Sequence, residues 1–99
     1  DALKEISTLG KPIIVTENGI ADVKDTLRAK WIKEYLSQLR RALNDGMDIR
    51  GYFYWSLMDN YEWAEGYHMK FGLYEVDFDT RERKMREGSK MYREIINGV

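Results

Sequence analysis

Between Ile13 and Trp55 the chain runs from an apolar β-branched stretch through a long amphipathic pattern to a second apolar stretch, and that order permits one local topology. Ile13-Ile14-Val15-Thr16 is continuous in its apolarity, which suits a parallel strand covered on both faces. In the middle segment Leu27, Trp31, Tyr35, Leu36, Leu39, Ala42 and Leu43 fall on one helical stripe, while Lys33, Ser37, Arg40 and Arg41 face outward. Asp25 is placed to cap this helix and Gly46 to close it. Ile49 to Trp55 then reads as a second strand. A helix joining two strands makes a βαβ crossover, which requires the strands to be parallel.

The flanks fit around this unit. Ala2 to Leu9 reads as the last turns of a helix, with Leu3, Ile6 and Leu9 at helical spacing and Gly10 closing it. Phe71 to Phe78 alternates like a strand, Asp79-Thr80 allows a turn, and Arg81 to Met85 can return as a short hairpin partner. Arg81 to Arg86 reads most simply as a solvated hairpin edge. Arg86 to Asn97 closes the chain as a helix offering Met91, Ile95 and Ile96 for packing. The class is α/β, in a single segment, residues 1–99. Two parallel strands alone leave both edges unpaired and much apolar surface wet, so more chain or a partner is expected to complete the sheet.

Composition narrows the partners. Sixteen basic against seventeen acidic side chains give a formal charge of -1, with no basic block to grip phosphates, so nucleic acid is not an expected partner. No apolar run approaches the ~18 residues of a membrane span, so no membrane is expected either. The chain has no cysteine and a single histidine, His68, which excludes disulfides and thiolate metal sites and argues against a histidine-rich metal centre. The composition fits a reducing cytosol, and the expected location is cytoplasmic.

Two blocks carry chemistry. Thr16-Glu17-Asn18-Gly19 leaves the first strand with a carboxylate at its end, the place where parallel α/β enzymes assemble their sites. Spacing alone leaves Glu17 open between a solvated turn residue and a catalytic carboxylate. The second block, Trp55-Ser56-Leu57-Met58-Asp59-Asn60-Tyr61-Glu62-Trp63, follows the second strand and opens on the same side. Aromatic faces pack against the C–H faces of sugar rings, and carboxylates accept hydrogen bonds from hydroxyls. That combination suits a carbohydrate subsite. Asp59 and Asn60 are expected to brace the loop, Trp31 to be a core residue and His68 a surface side chain.

These two blocks resemble the C-terminal signatures of glycoside hydrolase family 1, the retaining β-glucosidases and β-galactosidases. The resemblance takes in Asp25-Thr26-Leu27-Arg28, Asp45-Gly46 and Phe71-Gly72-Leu73-Tyr74-Glu75-Val76-Asp77, and so covers essentially the whole chain. Gly66-Tyr67-His68-Met69-Lys70-Phe71-Gly72 is most similar to archaeal members, with Lys70 where those usually carry arginine. The resemblance implies strands seven and eight, with their helices, of a (β/α)₈ TIM barrel. It also implies that Glu17 is the nucleophile that attacks the anomeric carbon, in a reaction for which neither a metal nor an organic cofactor is expected.

By the same resemblance Glu62 would accept hydrogen bonds from the sugar's 4- and 6-hydroxyls and Trp63 would donate its indole N–H to the 3-hydroxyl. Trp55 would form an apolar wall, Phe71 would shape the region around C6, and the peptide between Trp55 and Ser56 would be cis. An acid at Glu62 followed by Trp63 would repel a 6-phosphate, so unphosphorylated β-D-glucosides or galactosides are the expected substrates.

The family's acid/base glutamate lies in an Asn-Glu-Pro motif, and the only proline here is Pro12. That residue is therefore expected outside these 99 residues, on the remainder of the barrel in the same or a companion chain. By itself the segment is expected to be inactive, whether a truncated form, a proteolytic piece or one chain of a split enzyme. Two alternatives stay open: a non-catalytic carbohydrate-binding fragment, and self-association of fragments into a whole barrel.

Overall fold

The computed structural model describes residues 2–98. After a short helix α1 (Ala2–Ser7), strand β1 (Ile13–Asn18) and strand β2 (Ile49–Tyr54) pair in parallel, and helix α2 (Arg28–Asn44) crosses between them. Ile13 lies opposite Ile49, Val15 opposite Tyr52 and Asn18 opposite Tyr54, so the two strands end side by side. The expected βαβ unit is present.

Only one face of this pair is covered among the described residues. Ile13 is buried at 7% exposure while its neighbour Ile14, on the other face, is 55% exposed. The continuous apolarity does not translate into two covered faces, because the described residues pack on one face of the pair and leave Ile14 and Phe53 open on the other.

Helix α2 is rotated by about one residue from the expected stripe. Ile32, Leu39 and Ala42 are buried, whereas Leu27, Tyr35 and Leu43 are exposed. The compact Ile32 sits in the contact and forms the core with Tyr54 and Leu73. Trp31 lies along the rim, stacked on Tyr35 at 4.1 Å between ring centroids and edge-on to Tyr54 at 6.1 Å. It packs against the core, as its spacing suggested.

Asp25 does not cap α2. Asp22 does: its Oδ2 accepts the N–H groups of Leu27 at 2.8 Å and Arg28 at 2.9 Å. Asp25 takes up a left-handed backbone conformation (φ 53°) and gives its carboxylate to Arg28 Nη1 at 2.6 Å and the Gly88 N–H at 2.7 Å.

The expected strand from Phe71 to Phe78 shortens to β3 (Tyr74–Val76), which pairs antiparallel with β4 (Arg83–Met85). Leu73 and the first residue of β3 are drawn to another partner. The Leu73 N–H donates to the Ser56 carbonyl at 2.9 Å and the Tyr74 N–H to the Leu57 carbonyl at 2.9 Å, so this stretch follows the tryptophan loop instead of extending the hairpin. Asp77 organises the turn by accepting the N–H groups of Asp79 and Thr80. Helix α3 (Lys90–Ile96) starts later than expected, behind a 3₁₀ turn at Glu87–Ser89. It packs through Met91 and Tyr92, and Ile95 and Ile96 stay exposed.

Arg86 departs most from expectation. It is a buried ion-pair partner, with Nη1 and Nη2 each 2.8 Å from a different oxygen of Asp59, and side-chain exposures of 6% and 1%. Burial pushes the Asp59 carboxyl up, but the Arg86 guanidinium and the N–H groups of Gly72 and Val76 outweigh it and hold the group below its ordinary value. A carboxylate depressed in this way adds stability above its unfolded pKa of about 3.9, and that stability is lost as pH falls through the folded value. The thermal midpoint is therefore expected to drop below about pH 4. Asp59→Asn should destabilise the protein by about 3 kcal/mol or more at neutral pH, since it strands a buried guanidinium, and should flatten the acid limb. Melts across pH 3–7 check both; coincident curves for the variant and the parent would contradict the pairing.

Candidate active site

The site is built where β1 and β2 end. Glu17 is the penultimate residue of β1 and its side chain is exposed. The next residue is fixed from two directions: the Trp55 N–H donates to the Asn18 carbonyl at 3.0 Å, and the Tyr52 hydroxyl donates to Asn18 Oδ1 at 3.0 Å. Burial, reinforced by the neighbouring tyrosines 92, 54 and 35, pushes the Tyr52 phenol far up, so it remains a donor at any working pH. Glu17 thus leaves a backbone that is held on the side facing β2.

Gly19 explains how close the two strand ends come. A Cβ at this position would overlap the Trp55 carbonyl. Glycine is required because another backbone passes there.

Trp55 continues β2 into the second block, and the Trp55–Ser56 peptide is cis, as the resemblance implied. The indole N–H of Trp55 donates to Glu62 Oε1 at 3.1 Å, which joins two of the expected sugar-binding residues directly. Glu62 is half-buried and opens a tight turn in which its N–H donates to the Gly66 carbonyl at 2.8 Å. Trp63 follows at φ 50° and is 85% exposed, the most open of the large apolar residues. Phe71 is half-buried and its carbonyl accepts the Ser56 N–H at 3.4 Å.

The structure brings Glu17, Trp55, Glu62 and the backbone of Phe71 to the same end of the parallel pair, with Trp63 next to Glu62. Asp59 and Asn60 brace the loop: Asp59 accepts the Gly72 N–H at 2.9 Å, and Asn60 Nδ2 reaches Ser56 Oγ at 3.3 Å. His68 is exposed. Among the described residues no group of three or more histidine, aspartate or glutamate side chains is gathered as a metal site.

Sequence reasoning missed Asp22, Arg28, Tyr52 and Arg86, which hold the loops without standing at their tips. Arg28 is fully buried. It lies one helical turn before Ile32 on the buried face of α2, and a charge at that position in the periodic pattern was the available sign.

The sequence profile of Glycosyl hydrolase family 1 matches residues 3–98. The chain belongs to glycosyl hydrolase family 1. Among curated relatives, it is 49% identical to a β-galactosidase of Pyrococcus woesei over 100% of this chain and 20% of that protein. It is 51% identical to a β-galactosidase of Saccharolobus solfataricus over 86% of this chain and 18% of that protein. A solved β-glycosidase from Pyrococcus horikoshii superposes with a TM-score of 0.92 at 51% identity, covering 95% of this chain and 22% of that one. The hyperthermophilic β-glucosidase of Pyrococcus furiosus superposes with a TM-score of 0.95 at 43% identity, covering 98% and 21%. The family 1 segment described here spans about a fifth of the length of the relatives it matches.

The close approach at Gly19 gives a comparison within one protein. Gly10 has φ +65° with open space around it, so Gly10→Ala carries a backbone penalty of about 1–2 kcal/mol. Gly19 is not at positive φ and carries no such penalty, but Gly19→Ala must part the two strand ends. Denaturant unfolding of both variants is expected to show the larger loss for Gly19→Ala; the reverse order would mean that the strand ends are not tightly apposed.

Proposed function

We propose that this segment is the nucleophile-bearing part of a retaining β-glycosidase, forming strands seven and eight and their helices in a (β/α)₈ barrel whose remaining strands lie outside these residues. The observation that carries the reading is the junction of the two strand ends. Glu17 leaves β1 immediately before Asn18 and Gly19, and those two residues lie against Trp55, which is itself bonded to Glu62. A carboxylate, an aromatic wall and a second hydroxyl-binding carboxylate are what a sugar ring needs at a cleavage site. Relatives named β-galactosidase, β-glucosidase, bifunctional β-D-glucosidase/β-D-fucosidase and lactase/phlorizin hydrolase support β-linked gluco- and galacto-configured substrates, and the acid at Glu62 favours unphosphorylated ones.

In this reading Glu17, ionised, attacks the anomeric carbon and forms a covalent glycosyl-enzyme, displacing the leaving-group oxygen. A carboxylic acid from the remainder of the barrel, ~5–5.5 Å away as retaining pairs require, protonates that oxygen and then deprotonates the water that releases the sugar. Glu62 and Trp63 hold the hydroxyls of the reacting ring. The Trp55 N–H bond occupies one oxygen of Glu62 and leaves the other for a hydroxyl. Because Glu62 meets the 4-hydroxyl in either orientation, this loop accepts both epimers.

The open edges of the β1–β2 pair and the exposed Ile14 favour a working form in which further strands cover them. General-acid assistance is worth ~10²–10⁴-fold, so the segment without its partner carboxyl is not expected to turn over. In the complete barrel, Glu17→Gln is expected to lower kcat by about 10⁴-fold or more while sugar binding persists. Steady-state kinetics with an aryl β-glucoside, alongside calorimetric binding, check this. Hydrolysis that survives Glu17→Gln would overturn the assignment, and sugar binding lost in Trp63→Ala without any hydrolysis in the parent would favour a carbohydrate-binding role.

A further inference from the structure

Phe71 sits at the centre of a peculiar piece of anchoring. The carbonyl on its N-terminal side, Lys70, accepts from Arg28 Nη2 at 2.7 Å and from the Asp22 N–H at 3.0 Å. The carbonyl on its C-terminal side, Gly72, accepts from Arg86 Nη1 at 2.7 Å. Its own carbonyl makes the longest bond of the set, 3.4 Å from the Ser56 N–H. The flanking peptides, each held by a buried guanidinium, fix this residue more tightly than its own contact does.

The two arginines come from segments far apart in the sequence, and Asp25 lies between them, bonded to Arg28 Nη1 and to the Gly88 N–H. Arg28 stands in the first turn of α2, is fully buried, and bonds the Asp22 carbonyl through both Nη atoms as well as Asp25 Oδ1. Arg86 follows β4, is 7% exposed, and spans Asp59 and the Gly72 carbonyl. Arg28 further ties the loop that leaves Glu17 to residue 70. Buried ion pairs add little net stability compared with apolar packing of the same volume, so their presence on both flanks of one residue speaks for fixed geometry. A planar guanidinium reaches two or three acceptors in set directions, which a single ammonium does not.

We propose that Arg28 and Arg86 are positioning residues that clamp the 70–72 backbone and so set where Phe71 meets the sugar's C6 substituent. The clamp thereby governs discrimination between β-glucosides and β-xylosides, which lack the C6 hydroxymethyl group. This inference rests on the catalytic reading above and on the place that the family resemblance gives Phe71.

The test compares kcat/KM for an aryl β-glucoside and the matching β-xyloside in the complete enzyme, below the melting point of each variant. Arg28→Lys and Arg86→Lys keep the charge and remove the fork. Each is expected to lower the glucoside-to-xyloside ratio by about fivefold or more, in the same direction as Phe71→Leu, a size consistent with loss of shape selection at one carbon. Loss of stability or of overall activity would not by itself move this ratio. Folded lysine variants that keep the parent ratio within about twofold would overturn the proposal. If both fail to fold, Phe71→Leu decides: an unchanged ratio there leaves the clamp nothing to set and overturns it equally. A parent enzyme that hydrolyses neither glycoside would instead overturn the catalytic reading.

Discussion

Everything at the candidate site depends on the parallel pairing of β1 with β2. Parallel strands must be joined by a crossover, which here is α2, and they necessarily finish at the same end of the sheet. Placing Asn18 opposite Tyr54 brings the chain just after Glu17 against the chain just before Ser56. The absence of a side chain at Gly19 lets those two backbones touch. An antiparallel arrangement of the same strands would send Glu17 and the tryptophan loop to opposite ends.

On that frame the long loop after β2 is organised chiefly by buried charge. Asp59 and Arg86 meet in a two-point ion pair, and Asp22, Asp25 and Arg28 form a second cluster on the other side of residue 71. Apolar burial contributes a compact core, Ile32 with Tyr54 and Leu73, where α2, the end of β2 and the stretch before β3 meet. Hydrophobic packing is non-directional. The charged clusters bond particular backbone N–H and C=O groups, and this gives an irregular loop one conformation where packing alone would tolerate several.

Much of this was legible in the sequence because it follows from periodicity and from residue types at strand ends. Ile13-Ile14-Val15 and the helical spacing from Trp31 to Ala42 predicted the crossover, and the crossover predicted that Glu17 and Trp55 share an end. Other features required knowledge of tertiary partners. Asp22 and Asp25 are both reasonable caps by composition, and only the left-handed turn at Asp25 decides between them. Ile32 and Trp31 occupy neighbouring helical positions, and size against the facing Tyr54 put the smaller one inside. Arg86 reads as a surface residue in a strongly charged stretch from Arg81 to Lys84, since nothing local shows that Asp59, 27 positions earlier, faces it. Long-range ion pairs leave no periodic trace.

The central claim is that Glu17 becomes covalently bonded to the sugar. Peptide mapping of the complete enzyme after reaction with an activated 2-deoxy-2-fluoro β-glucoside addresses it directly. The account predicts a single fluoroglycosyl adduct, on the peptide containing Thr16-Glu17-Asn18, with activity lost in step with labelling. An adduct on another carboxylate, or inactivation with no label in this segment, would contradict it.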